Sequence, residues 1–237
     1  MSYSTLGYAF VGGILPALVW LYFLLKEDQR CPEPRPLILV AFMSGMLAVA
    51  FALPLEHFAK LWLPSDLSVV LAWASIEEVL KYAIVSLIVL WRRAVDESVD
   101  LVIYMITAAL GFAALENVLF FFQALTVHGL WGSAGALATG NLRFIGASLL
   151  HIVASAAIGF ALAFGFRAHR AVRALYATAG LILAIALHSA FNFLIITGDG
   201  SHTLFAFFIV WIGAVVFFAV FEILKYFRYR NVPKNTC

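Results

Sequence analysis

Seven apolar stretches follow one another along this chain, at 5–25, 37–55, 67–91, 101–122, 143–166, 173–196 and 204–227. Each is about twenty residues or a little longer, the length a helix needs to cross a hydrocarbon core of about 30 Å. Only helices and closed barrels satisfy every backbone group in lipid, and these runs neither alternate nor stop at the ten residues or so of a barrel strand. The sequence therefore predicts an all-α polytopic membrane protein of about seven transmembrane helices. A mean hydropathy of +1.00, with 64% apolar and 12% charged residues, agrees. Short polar connectors leave no room for a separate soluble unit, so 1–237 reads as one transmembrane domain.

Charge placement orients the chain. Lys26, Arg30, Arg35, Arg92, Arg93, Arg167, Arg170, Arg173, Lys225, Arg228, Arg230 and Lys234 fall on one side of the alternating helices, and only Lys60 and Arg143 on the other. The positive-inside rule then predicts an outer N-terminus and a cytosolic C-terminus. The net charge of +2 gives no footprint for nucleic acid; the expected surroundings are a lipid bilayer. The first helix has no basic leader or small-residue cleavage site and reads as retained. Cys31 and Cys237, both assigned to the cytosolic side, are expected to be free thiols. The connector at 123–142, rich in glycine, is long enough for a flexible loop or a short re-entrant helix beside a site.

Against this background four polar clusters stand out inside apolar stretches: Glu77, Glu78 and Lys81; Glu116 and Asn117; His151 and Ser155; His188 and Asn192. A charge at mid-membrane costs at least about 2.5 kcal/mol even on the mildest scale, so four clusters in one small chain point to an interior polar site. Depth sharpens this. At a rise of about 1.5 Å per residue, Glu77 lies about 15 Å from the outer end of its helix, Glu116 about 10 Å, and His151 and His188 about 12 Å each. One layer in the outer half of the membrane is expected, built from helices three to six and opening outward. Lys81 follows Glu77 by four and Glu78 by three, so its ammonium is predicted between the two carboxylates. Ser155 and Asn192 each follow a histidine by four and are predicted to orient its ring.

A glutamate beside two histidines can activate water, as a general base or as part of a metal site whose bound water ionises near neutrality. Hydrolysis is the economical chemistry. Glu77, Glu78, His151, His188 and Asn192 are the candidate catalytic residues, with Asn192 or a histidine donating to an oxyanion. Lys81, Glu116, Asn117 and Ser155 support them. Glu78, Glu116, His151 and His188 are the candidate metal ligands. Zinc and a metal-free glutamate base both stay open, as does which glutamate acts as base; no HExxH pair is present. A proton-coupled transporter would use the same residues as a relay, but no internal repeat and no proline in the site helices favours it.

The ordered motifs Glu77-Glu78-Val-Leu-Lys81, Gly111-Phe-Ala-Ala-Leu-Glu116-Asn117, His151-Ile-Val-Ala-Ser155 and His188-Ser-Ala-Phe-Asn192-Phe193 resemble the PrsW family of intramembrane proteases. They are similar also to the broader CAAX-prenyl-endopeptidase-like superfamily, with its glutamate pair and two intramembrane histidines. The resemblance covers helices three to six, roughly half of the chain. It implies a metalloprotease-type endopeptidase of the bacterial cytoplasmic membrane, with Glu77, Glu78 and His151 or His188 at catalytic positions. The implied partner is a membrane-anchored protein, such as an anti-sigma factor, cut on its outer side. A related prenyl-protein or lipid hydrolase is the alternative. One departure is that Phe120, Phe121 and Phe122 stand where a tyrosine is expected after Glu116-Asn117.

Overall fold

The computed structural model describes residues 3–27, 31–128, 146–197 and 203–230. Among them every regular element is helical: α1 (Tyr3–Glu27), α2 (Arg35–Trp62), α3 (Asp66–Val85), α4 (Ser98–His128), α5 (Ser148–Phe164), α6 (Arg170–Thr197) and α7 (Thr203–Tyr229). α3 continues into a π-helical turn over Ser86–Leu90. Among the described residues five helices are long and apolar enough to cross a membrane: α1, α2, α4, α6 and α7. The chain is an all-helical, polytopic membrane protein. The exceptions have separate reasons: α5 has 17 residues, and α3 carries Glu77, Glu78 and Lys81 within its apolar stretch.

The helices coincide with the predicted stretches; α1, α2, α4, α6 and α7 run longer than predicted, while α3 with its π-helical turn and α5 do not. α2 continues through Pro54 to Trp62 instead of stopping near 55, and α4 spans Ser98–His128 instead of 101–122. Polar residues such as Glu56, His57 and Lys60 lower hydropathy without ending a helix; what ends one is loss of backbone bonding or a cap. α3 shows such a cap, where Ser65 Oγ accepts from Ser68 N and Ser65 N donates to Ser68 Oγ, both at 3.3 Å. This is a reciprocal capping box that fixes where the site helix begins.

α4 forms the axis of the molecule. It is apolar all round, as a helix covered on every side must be, and Val102, Ile103, Tyr104, Met105, Ala108, Ala109 and Leu110 are all fully buried. α1, α2 and α5 pack along it, while α3 and α6 close the remaining sides through α2 and α5. The α2–α4 crossing is tight enough to demand glycine twice. A Cβ on Gly45 would stand 1.8 Å from the Ala108 carbonyl oxygen, and one on Gly111 1.9 Å from that of Phe42. Without a hydrophobic drive between helices in lipid, such close backbone approach supplies the packing that holds them together.

Polar ties join the helix ends on the side away from the site. The Tyr104 hydroxyl donates to Glu33, Arg228 pairs with Glu97 at 2.5 Å, and Lys225 pairs with Glu27 at 3.0 Å. Cys31 is disulfide-bonded, which corrects the expectation of a free thiol. That expectation rested on compartment alone, and sequence position carries no signal of disulfide bonding. Cys237, Arg143 and most of the connector at 123–142 lie outside the described residues, although 123–128 form the last turns of α4.

Candidate active site

The buried face of α3 carries the site. Ala74, Glu77, Glu78, Lys81 and Val85 recur at helical spacing and all turn inward, so the charged residues occupy positions where an ordinary amphipathic helix would place its core. Glu78 is fully buried and fully engaged. Its Oε1 accepts from Lys81 Nζ at 2.5 Å and from His188 Nδ1 at 2.8 Å, and its Oε2 accepts from Ser155 Oγ at 3.0 Å. Three charge-assisted bonds from three helices compensate a carboxylate that would otherwise be very costly there.

Glu77 differs. It is only 6% exposed, yet its Oε2 has no hydrogen-bond partner. Three groups stand just beyond bonding distance of that oxygen: His188 Nε2 at 3.8 Å, His151 Nδ1 at 3.9 Å and Lys81 Nζ at 3.9 Å. A buried carboxylate oxygen with nothing to accept is rare enough in folded proteins to ask for a function.

The two histidines face each other across this oxygen, with ring centroids 5.1 Å apart and rings nearly perpendicular. Their partners assign their protons. His188 Nδ1 lies against the Glu78 carboxylate, so it donates and leaves the Nε2 lone pair turned toward Glu77. His151 Nε2 lies 3.0 Å from Glu116 Oε2 and donates to it, leaving Nδ1 turned inward. That inward nitrogen is met by Lys81 Nζ at 3.0 Å. A carboxylate behind each ring fixes tautomer and orientation, as in carboxylate–histidine–metal arrangements.

These contacts revise the predicted orienting partners. Ser155 donates to Glu78 and not to His151, and among the described residues Asn192, half-buried one turn beyond His188, makes no hydrogen bond to the network. Side chains in a helix lean toward its N-terminus, and a carboxylate on a neighbouring helix outcompetes a hydroxyl or amide four residues further on. Asn117 supports indirectly, its Nδ2 donating to Ser148 Oγ at 3.1 Å where α4 meets α5. Lys81 reaches more than was predicted: besides both glutamates it contacts His151 and lies over the Phe112 ring, 4.6 Å from its centroid.

Sequence reasoning missed two members. Phe112 packs under both Lys81 and His151; in an apolar run nothing distinguishes it, except that it lies four residues before Glu116 on the same helix face. Glu56 lies within electrostatic reach of Glu77, Glu116 and Lys81. The apolar stretch ends at 55, so hydropathy alone places Glu56 outside the helix. The missed signal was the absence of any helix-stopping residue between Leu55 and Trp62. Glu116 and Glu56 are the less buried carboxylates, which marks their side as the site's exposed edge.

Glu77, His151 and His188 each offer one donor atom, all within 4.8 Å of one another. Two imidazoles and a carboxylate form a known catalytic zinc set, and separations of 3.8 and 3.9 Å from Glu77 Oε2 can be bridged by one ion with bonds of about 2.0–2.2 Å. The unpartnered oxygen of Glu77 is the observation that fits a cation. Glu78 and Glu116, also candidate ligands from sequence, stand behind the rings.

Comparison with known proteins agrees with this chemistry. A family model described as PrsW family intramembrane metalloprotease matches residues 33–223, most of the chain. The chain is 23% identical over 193 residues to Protease PrsW of Clostridioides difficile, covering 78% of each. It is 27% identical over 194 residues to Protease PrsW of Geobacillus kaustophilus, covering 79% of each. With Protease PrsW of Bacillus subtilis the identity is 27% over 191 residues, covering 77% of this chain and 80% of the relative. No solved structure matches.

Proposed function

The chain belongs to the PrsW family of intramembrane metalloproteases, and from that premise we propose that it is an endopeptidase cutting a membrane-anchored protein in the outer half of the bacterial cytoplasmic membrane. Intramembrane proteolysis itself follows from the family, and it requires a membrane-embedded protein substrate. The depth and side of the cut rest on the charge bias of the connectors, which favours seven spans with the N-terminus outside. The polar layer on helices three to six then lies nearer the outer face. By resemblance the substrate is of the anti-sigma-factor type.

One observation carries the proposed mechanism: the buried, unpartnered Oε2 of Glu77, faced by the inward nitrogens of both histidines. Glu77 is the reacting carboxylate because both oxygens of Glu78 already accept from donors, whereas Glu77 Oε2 accepts from none. In this reading a water between Glu77 and the scissile carbonyl gives its proton to Glu77 Oε2 as it attacks. Glu77 then passes that proton to the leaving amine, as a general base becomes a general acid. Asn192, half-buried and outside the network, is the candidate donor to the carbonyl oxygen as it becomes an oxyanion. Glu78 and Glu116 keep the two rings turned inward. Where a metal takes the place of the free glutamate base, Glu77, His151 and His188 would hold it, with Glu77 as a ligand, and the metal would supply the Lewis acid and the ionised water.

The test is cleavage of a purified single-span substrate in liposomes, with the cut mapped by mass spectrometry. Glu77→Gln is expected to abolish cleavage while preserving insertion and folding. Full activity in that variant, or a cut mapped to the cytosolic side, would overturn the reading.

A further inference from the structure

Lys81 stands beside the group that could hold a metal. Its Nζ is 2.5 Å from Glu78 Oε1, 3.0 Å from His151 Nδ1 and 3.9 Å from Glu77 Oε2. Two of these three residues, His151 and Glu77, belong to the three-residue group able to hold a metal. We propose that Lys81 is a built-in competitor for that metal: its ammonium and a divalent ion hold the inward lone pair of His151 by turns.

The asymmetry between the histidines carries this inference, which rests on reading Glu77, His151 and His188 as the metal group. His188 has its outer nitrogen on Glu78 and its inward nitrogen engaged by no hydrogen bond among the described residues. His151 has the matching outer bond, to Glu116, but its inward nitrogen accepts from Lys81. An ammonium has only donors, so it must take an acceptor's lone pair, and imidazole nitrogen has just one to give. The same pair cannot coordinate an ion. A divalent ion beside Glu77 would also stand close to a like charge in a site with little water to screen it.

The exchange needs little movement. Lys81 is anchored to Glu78 by its shortest contact and to the Phe112 ring beneath it, so it can release His151 without losing either. Lysine suits this better than arginine, because three donors on a slender stem can be redistributed while a planar guanidinium holds a fixed fork. Metal entry would then require His151 to change partner, whereas His188 needs no change.

The experiment titrates zinc into chelator-treated, full-length protein in detergent by calorimetry, with cobalt(II) absorption as a second, coordination-sensitive readout. Lys81→Met keeps the stem and removes the charge; it is expected to bind zinc at least about tenfold more tightly than the unaltered protein, with the same three-residue ligand signature. Lys81→Arg, which keeps the charge, serves if the methionine variant does not fold and is expected to bind about tenfold more weakly. A lysine that only neutralised Glu78 would leave affinity unchanged or lowered in Lys81→Met. Equal or weaker binding by that variant, or unchanged binding by Lys81→Arg, overturns the competition while leaving the metal group standing. No zinc bound by any of the proteins overturns both.

Discussion

The two histidine arms of the site have the same plan and different surroundings. Each ring is backed by a carboxylate and turns its other nitrogen toward Glu77, at 3.8 Å for His188 and 3.9 Å for His151. The His188 arm is backed by Glu78, whose side chain is 0% exposed and held by three donors. The His151 arm is backed by Glu116, whose side chain is 21% exposed, and its inward nitrogen is shared with Lys81. One arm is rigid and finished; the other stands at the exposed edge with a competing cation. Similar spacing in sequence thus gives two rings with different inner partners, because those partners come from other helices.

The largest effect breaks both arms at once. Glu77→Gln removes the charge on which the two rings converge and is expected to lower cleavage by a factor of about 10²–10⁴, the range of a positioned acid–base group. The folded protein should remain, since Glu77 Oε2 makes no hydrogen bond to lose. Turnover of a single-span substrate, read beside the thermal melting of the same sample, separates the two outcomes.

Next in size is the contrast between the arms themselves. His188→Ala removes a proposed ligand and also one of the donors that hold Glu78, so it should lose zinc binding and melt earlier. His151→Ala removes a proposed ligand but leaves Glu78 with Lys81, His188 and Ser155. It should lose activity with a smaller loss of stability. Equal destabilisation by the two substitutions, measured by thermal unfolding in one detergent, would erase the proposed difference. Glu116→Gln tests the exposed arm more gently: outer partners of metal-bound histidines are worth about 10–100-fold in metal affinity or activity, and a drop in that range is expected by zinc titration.

Much of this site was legible because intramembrane charge is so costly. Glu77, Glu78, Lys81, Glu116, His151 and His188 announce themselves in apolar runs, and alternating helix directions bring them to one depth. The helices were legible for the same reason, through length and hydropathy. What stayed hidden is what hydropathy does not encode. Helix ends depend on caps, so an apolar stretch that ends at 55 does not show that α2 carries Glu56 toward the site. Partner choice between helices depends on packing, so Ser155 was paired with the nearest histidine in sequence and not with Glu78 on a neighbouring helix. Phe112 is silent as one apolar residue among many, and only the crossing of α4 with α3 and α5 gives it a role.

Ser155 also supplies the smallest and most discriminating prediction. Its hydroxyl donates to Glu78 Oε2 and to neither histidine, so Ser155→Ala should act on the rigid arm alone. Hydrogen bonds to charged groups are worth about 1.5–3 kcal/mol in water-soluble proteins, but side-chain bonds within membranes average only about 0.6 kcal/mol. Glu78 keeps Lys81 and His188 when the serine is lost, so the lower figure should govern. A loss of about 0.6–1.5 kcal/mol in unfolding free energy is expected, with cleavage reduced no more than a few fold. A serine that oriented His151 would instead alter zinc affinity when removed. Titrating zinc into Ser155→Ala beside Glu116→Gln therefore asks which helix holds the His151 ring, and the structure answers α4.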